Sequence, residues 1–559
     1  MDVESSSTAE GSNMARRSIC GLLVIVAAAT TLFRVATADE PEVPPTADVV
    51  SDSQAAAEAV RALGGAAIEP QSDIAADDGD ESEPSAVADV SDSIDPVSLA
   101  APPPAAEPPV DRVRATIDVS GELFAPAGRD APPIRRPIVV AGRFDFIERP
   151  LASADEHTVE RQYADAAADL QIDGQKQRIT LPEDARAVRI VLRGTTPAPS
   201  LERGFLSREE MDLLEMPFDP LLIDALRPTT AVAVGDSWSI AGDVTAGMLA
   251  IDTVESGSLE ASLEAVEDGR ATVKFAGIID GAADGVPTHV TVEGSFTAAV
   301  DDAAADPITF TGRIAHLVVT LRERREASHV APGFDVEARV VIARAAVATA
   351  GDDDSPRVAL PAVASADATM PRRQGVGRPG LVWQRDVARR YDLVHDERWR
   401  VIEDGAEGLV MRFVDHGALV AQCSITALPR SSALSPPTIA EVERDIERSL
   451  AGQFARIEHA SEATRSDGVR IVRVVTSGRA GDLPFRWIHH VLTDAAGHRL
   501  AVTCMLEESL QKRFGAADRD LVDGIMFPAE VAESTPETVD AEGPPADREA
   551  RLPAESRTP

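Results

Sequence analysis

Between residues 111 and 350 apolar and polar side chains alternate with a period of two, as at 114–121, 188–193, 288–300, 314–321 and 334–343. Alternation of this kind marks half-buried strands, and short turns such as Glu267-Asp268-Gly269-Arg270 join them into an antiparallel meander. One segment breaks the rhythm. Ser207-Arg208-Glu209-Glu210 reads as a capping box, in which hydroxyl and carboxylate satisfy the free amides of a helix start. Apolar residues follow at Met211, Leu213, Leu214, Leu221, Leu222, Ile223 and Leu226, before Gly235-Asp236-Ser237-Trp238 returns the chain to sheet. This pattern predicts a half-barrel or barrel with a helical insert acting as plug or lid. The insert either fills the core or lines a cavity for an apolar ligand, with Met211, Leu214, Leu222 and Leu226 as the residues of that cavity.

The pattern changes after residue 380. Strands are predicted at 391–395, 409–414 and 418–428, with a hairpin at Asp415-His416-Gly417. A second capping box, Thr438-Ile439-Ala440-Glu441, opens a helix whose Ile439, Val442, Ile446, Leu450 and Phe454 share one face. Three strands follow at 469–476, 485–493 and 498–505, with a turn at 494–497. A closing helix at about 508–522 points Leu510, Phe514 and Leu521 inward. On the strand at 485–493, Trp487 alternates with Phe485 and His489, while Ile488 shares the other face with His490 and Leu492, as expected of a strand covered on both sides. The predicted architecture is an α/β/α sandwich around an antiparallel sheet, and the chain as a whole is expected to be α+β.

The order Trp399-Arg400-Val401, Ala421-Gln422-Cys423-Ser424-Ile425, the helix opened by Thr438 and Glu441, Gly468-Val469-Arg470-Ile471, Gly497-His498-Arg499-Leu500, a further helix and Ile525-Met526-Phe527 resembles the PsbP-like superfamily. That group includes photosystem accessory and bacterial envelope proteins. The resemblance covers residues 381–528 at the level of the fold and transfers no ligand residue. It implies an exported accessory or binding role without catalysis.

The flanks supply an address. Arg16-Arg17, an apolar run from Ile19 to Phe33 and the small-residue site Ala36-Thr37-Ala38 before Asp39 form a secretory leader over 1–38, with Met14 as an alternative start. The run is shorter than the roughly 20 residues of a spanning helix, so contact with the membrane is expected only during export, by the general or the twin-arginine route. Residues 39–110 hold seventeen acids against one base among Ala, Pro and Ser, the composition of a disordered acidic linker. A second linker at 351–380 and a tail at 529–559 have similar character. The predicted plan is therefore a β domain at 111–350 and an α/β domain at 381–528, located in the periplasm or outside the cell.

Net charge narrows the partners. The formal charge is -39, yet 381–528 carries nineteen bases against twenty-two acids, so the acid is concentrated elsewhere. No clustered basic face is available for phosphate backbones, which excludes nucleic acid. The expected partner is another envelope protein, with an apolar small molecule as the alternative ligand.

Candidate chemistry is sparse. The sequence has no H-E-x-x-H, G-x-S-x-G, Walker loop or paired C-x-x-C, so no catalytic residue, metal site or cofactor is assigned. His489 and His490 are adjacent on a strand and point to opposite faces, so they cannot chelate one metal together. A hydrolase site around either is the third reading, and a cluster of His395, Asp396, Asp415 and His416 is a further arrangement to examine. Cys423 and Cys504 lie on alternating apolar segments, as small buried residues or as an extracytoplasmic disulfide if their strands are neighbours.

Overall fold

The computed structural model describes residues 110–528 apart from 126–131, 152–157, 284, 302–306, 327–331, 348–375, 432–435 and 482. The leader with Ala36, Ala38 and Asp39, the acidic linker, most of the second linker and the tail lie outside the described residues. Six strands open the structure: β1 (Asp111–Ala125), β2 (Ile134–Leu151), β3 (Thr158–Ile172), β4 (Gln175–Thr180), β5 (Ala187–Arg193) and β6 (Thr196–Ser200). After an insert come β8 (Ser237–Ile240), β9 (Thr253–Glu267), β10 (Arg270–Ala283), β11 (Val286–Val300), β12 (Phe310–Arg325) and β13 (Gly333–Ala346). Together they form one 12-stranded antiparallel sheet, in which β1 pairs with both β2 and β13 and the free ends are β6 and β8.

Alternation dictates what this sheet does with its two faces. Along β1 the residues Val113, Ala115, Ile117 and Val119 are buried while Arg112, Arg114, Thr116 and Asp118 are exposed. The outward face is laced by exposed pairs such as Arg112–Asp145, Arg143–Asp169 and Arg322–Asp335. The inward face needs a cover, because a single apolar layer cannot stand against water.

The insert supplies that cover. It begins with the two-residue strand β7 (Leu206–Ser207) and α1 (Arg208–Leu214), capped as expected by Ser207 and Glu210 in reciprocal hydrogen bonds. It continues through a 3-10 turn at Ile223–Leu226 and ends in α2 (Gly242–Leu249). Met211, Leu214, Leu222 and Leu226 are all buried and belong to one apolar cluster with the inward residues of the sheet.

Charge pins the insert in place. Arg161, fully buried, donates to Glu148 at 2.8 Å and bidentately to Asp219 of the insert at 2.8 and 2.6 Å. Asp224 of the insert accepts from Arg313 at 3.1 Å, from Arg344 at 2.9 Å and from the Ile314 amide at 2.8 Å. Asp111 joins through Arg313. Burial alone would raise the Asp224 pKa, but Arg344 and the amide outweigh it and hold the carboxyl below its usual range.

The second unit contains β14 (Leu381–Arg385), β15 (Asp392–Asp396), β16 (Trp399–Asp404), β17 (Gly408–Asp415), β18 (Ala418–Leu428), α3 (Ile439–Leu450), β19 (Phe454–Thr464), β20 (Arg470–Ala480), β21 (Leu483–Thr493), β22 (Arg499–Glu507), α4 (Gln511–Phe514), α5 (Ala517–Asp523) and β23 (Ile525–Met526). Seven strands make an antiparallel sheet in the order β16-β17-β18-β22-β21-β20-β19. Helix α3 packs Val442, Ile446 and Leu450 on one face against Val472, Val474 and Trp487. Phe514 and Leu521 of the two short helices lie on the other face with Val475, Ile488 and Cys504.

The expectation of an α+β chain, with an α/β/α sandwich around an antiparallel sheet at its C-terminal end, is corrected here. Strands take 63% and helices 14% of the described residues, so the chain is mostly β. Two local causes account for the missing helix. Ala451, at φ 45°, and Gly452 stop α3 at Leu450, so Phe454 opens a strand instead of extending the helix. Gly515, at φ 59°, divides the closing helix into two short pieces.

The two units share a third sheet. Its order is β23-β15-β14-β7, and the β7 partner of β14 is the first strand of the insert, paired in parallel through Val382–Leu206 and Trp383–Ser207. Residues 376–380 are packed as well, since Val376 bridges to Arg203 and a Cβ on Gly377 would lie 1.7 Å from the Leu201 carbonyl oxygen. The 415–417 hairpin makes another contact. Gly417 has φ 71°, and a Cβ there would meet Thr253 Cγ2 at 2.9 Å and Ala282 at 3.1 Å.

Replacing Arg161 by Ala strands two buried carboxylates, and we expect a loss of about 3–5 kcal/mol in urea unfolding. Arg143→Ala, which breaks an exposed pair, should cost less than about 1 kcal/mol in the same assay.

Candidate functional site

A cleft of about 380 Å³ opens on the C-terminal sheet between β19–β21 and the short helices. Pairing of Val475 with both His459 and Ile488 sets these three side chains on one face. Strand register puts Arg473 on the same face, two residues before Val475. A register shift in β19 between Ile457 and His459 brings consecutive residues, Glu458 and His459, to the cleft. Phe514 closes it from α4, and Arg519 projects from α5. The floor is therefore apolar and the rim charged.

Three guanidiniums line this cleft against one carboxylate. Arg486 holds Glu458 at 2.6 Å while its Nε keeps no hydrogen-bond acceptor among the described residues. Arg473 Nε donates to Asp518 at 2.9 Å, and the same oxygen accepts from His490 Nε2 at 2.9 Å. Burial would raise the Asp518 pKa, but the bond from His490 and the charge of Arg473 hold it below the usual range. Burial also lowers the His490 pKa, against the pull of Asp518. Arg519 is exposed and carries no ion pair among the described residues. Two of the arginines are thus aimed by buried or half-buried partners, and the third is free to meet a ligand.

None of these three arginines stood out in the sequence. The available signal was an arginine between apolar neighbours on a strand with two buried faces, as in Val472-Arg473-Val474 and Phe485-Arg486-Trp487.

The expected residues fall elsewhere. Met211, Leu214, Leu222 and Leu226 are engaged in the core, each no more than 3% exposed. Cys423 and Cys504 stand directly opposite across β18 and β22 as buried free thiols. Residues so paired have Cα atoms about 4.5–5.5 Å apart, within reach of a disulfide. The Cys423 contact and burial push the Cys504 thiol pKa up, which suppresses thiolate chemistry.

His489 and His490 face opposite sides of β21. His489 meets Thr503 Oγ1 at 3.2 Å, and His490 Nδ1 has no hydrogen-bond partner among the described residues. Asp396 and Asp415 do come together, but Arg398 bridges them at 3.0 and 3.1 Å. His395 is buried apart, its Nδ1 on the Asp396 carbonyl, and His416 is exposed on its hairpin. No group of three or more potential metal ligands occurs among the described residues.

No family model matches the chain, and no curated protein matches it. Solved structures overlay loosely. A structure of lipid–protein interactions in lipovitellin covers 44% of this chain and 27% of its own, at 8% identity and a TM-score of 0.23. OccK5 (OpdH) of Pseudomonas aeruginosa covers 71% and 96% at 7% identity and a TM-score of 0.11. OmpTdeltaL8, an outer membrane protein of Vibrio cholerae, covers 71% and 98% at 7% identity and a TM-score of 0.10. Overlays this loose place the chain in no family. Along β1 and β2 the outward face of the large sheet carries Arg112, Arg114, Asp118 and Arg143.

Burial depresses the pKa of His395 to about 4 and of His489 to about 3. Unfolded imidazole titrates near 6.5, so the unfolded state takes up the protons first. Stability contributed by the neutral rings is full above that value and is lost as pH falls toward the folded values. In urea unfolding across this range, His489→Gln should flatten the fall in stability between pH about 6.5 and about 4.

Proposed function

We propose that the chain is an exported, non-catalytic binding protein of the cell envelope. Its C-terminal unit takes an anionic group in the arginine-lined cleft, and its large sheet serves as scaffold. The observation that carries this reading is Arg519: Arg473 and Arg486 already pair with Asp518 and Glu458, and among the described residues Arg519 lines the cleft exposed and without an ion pair, in a chain of formal charge -39. A carboxylate or phosphate entering there meets guanidiniums whose directions are already set, which lowers the ordering cost of binding. Val475, Ile488 and Phe514, packed in the core of the unit, form the apolar wall behind the charged head. The leader-like N-terminus supports the address.

The apolar-ligand alternative centred on the insert meets a physical obstacle. Its side chains already pack on the sheet, and admitting a guest means breaking the pairs of Asp219 and Asp224.

Calorimetric titration of the full chain with an alkyl phosphate below its micelle concentration tests the reading. We expect binding that weakens with salt and falls about tenfold in Arg519→Glu, the size of one charge-assisted hydrogen bond. Absence of binding, or equal affinity in the variant, overturns it.

A further inference from the structure

The cleft runs beside a sheet edge that is built unlike the others. Among the described residues β19 pairs with β20 alone, and it presents eleven residues without proline. The remaining edge strands are short, although β8 covers only Leu259–Ser262 of β9 and leaves Thr253–Ser258 of that strand open among the described residues. β6 has five residues including Pro197 and Pro199, β8 has four, β4 and β16 have six, and β7 and β23 have two. Open edges of this length are normally blunted, because their unpaired amides and carbonyls template another strand. In β19 the register shifts are confined to the half before His459, and from Ala460 to Thr464 the pairing with β20 is regular.

The charges on this edge are arranged for an acidic visitor. Glu462 is held by Arg470 at 2.6 and 2.7 Å, and Glu458 is held by Arg486. Both carboxylates of the strand are therefore neutralised, while Arg519 stands unpaired among the described residues across the cleft and His459 is exposed.

Resting on the binding role proposed above, we infer that the partner is an extended acidic segment of another protein that adds to β19 as an eighth strand. Its main chain pairs with the free edge, and alternate side chains on one face point to the cleft, where a Glu or Asp carboxylate reaches Arg519 and Arg473. Strand addition supplies affinity through backbone bonds, and the arginines select acid over neutral or basic sequences.

The test uses the full chain and a fluorescein-labelled peptide of alternating Glu and Val, read by fluorescence anisotropy. We expect saturable binding, loss of about tenfold or more in affinity when Gln replaces Glu, and a similar loss in Arg519→Glu. Peptides N-methylated at alternate residues separate strand addition from simple charge capture, since amides on a strand point alternately to its two edges. One methylation phase should abolish binding and the other should leave it intact. Equal binding of both phases, together with sensitivity to Arg519→Glu, overturns strand addition while leaving the anion cleft standing. A peptide that does not bind, although the alkyl phosphate does, overturns it likewise. Indifference of both probes to Arg519→Glu removes the cleft reading as well.

Discussion

Seven buried or half-buried charges, three arginines and four carboxylates, hold the insert against the inward face of the large sheet. Each such ion loses several kcal/mol of hydration on burial, so the arrangement persists only because nearly every charge has an opposite partner at hydrogen-bond distance. Arg161 spans Glu148 and Asp219, while Arg313 and Arg344 converge on Asp224 and Asp111. The apolar contacts of Met211, Phe218, Leu222 and Leu226 give the insert its burial, and the ion pairs give it one register on the sheet. Without the insert a long sheet with one greasy face has no stable solution in water.

That same insert organises the second unit. Its first strand, β7, completes the small sheet of β14, β15 and β23, and Val382 of β14 enters the core of the N-terminal unit. Arg208 of α1 pairs with Asp212 and reaches the Glu397 carbonyl across the junction. The two units are thus joined by backbone pairing as well as by side chains. The cleft lies on the β19–β21 side of the seven-stranded sheet, and α5, which carries Arg519, links it to β15 and β23 of the shared sheet.

Much of the fold was legible because its signals are local. Alternation located β1, β5, β11, β12 and β13, and both capping boxes start helices where Ser207 and Thr438 indicate. What failed was the helix count. A helical face that included Phe454 ignored the break at Ala451-Gly452, and a helix through Gly515 ignored the residue best able to turn there. β19 stayed hidden because its side chains are mostly exposed and alternate poorly, as befits a shifted edge strand. The site was less legible still. Arg473, Arg486 and Arg519 are far apart in sequence, and only the antiparallel register of β20 and β21 brings the first two beside α5. Cys423 and Cys504 meet for the same reason.

Amide hydrogen exchange on the full chain addresses the pinned insert most directly. Amides of residues 211–226 should exchange only with the same opening free energy as the inner strands β1 and β13, because insert and sheet form one cooperative core. Exchange of the insert through a cheaper local opening, while those strands stay protected, would contradict this account.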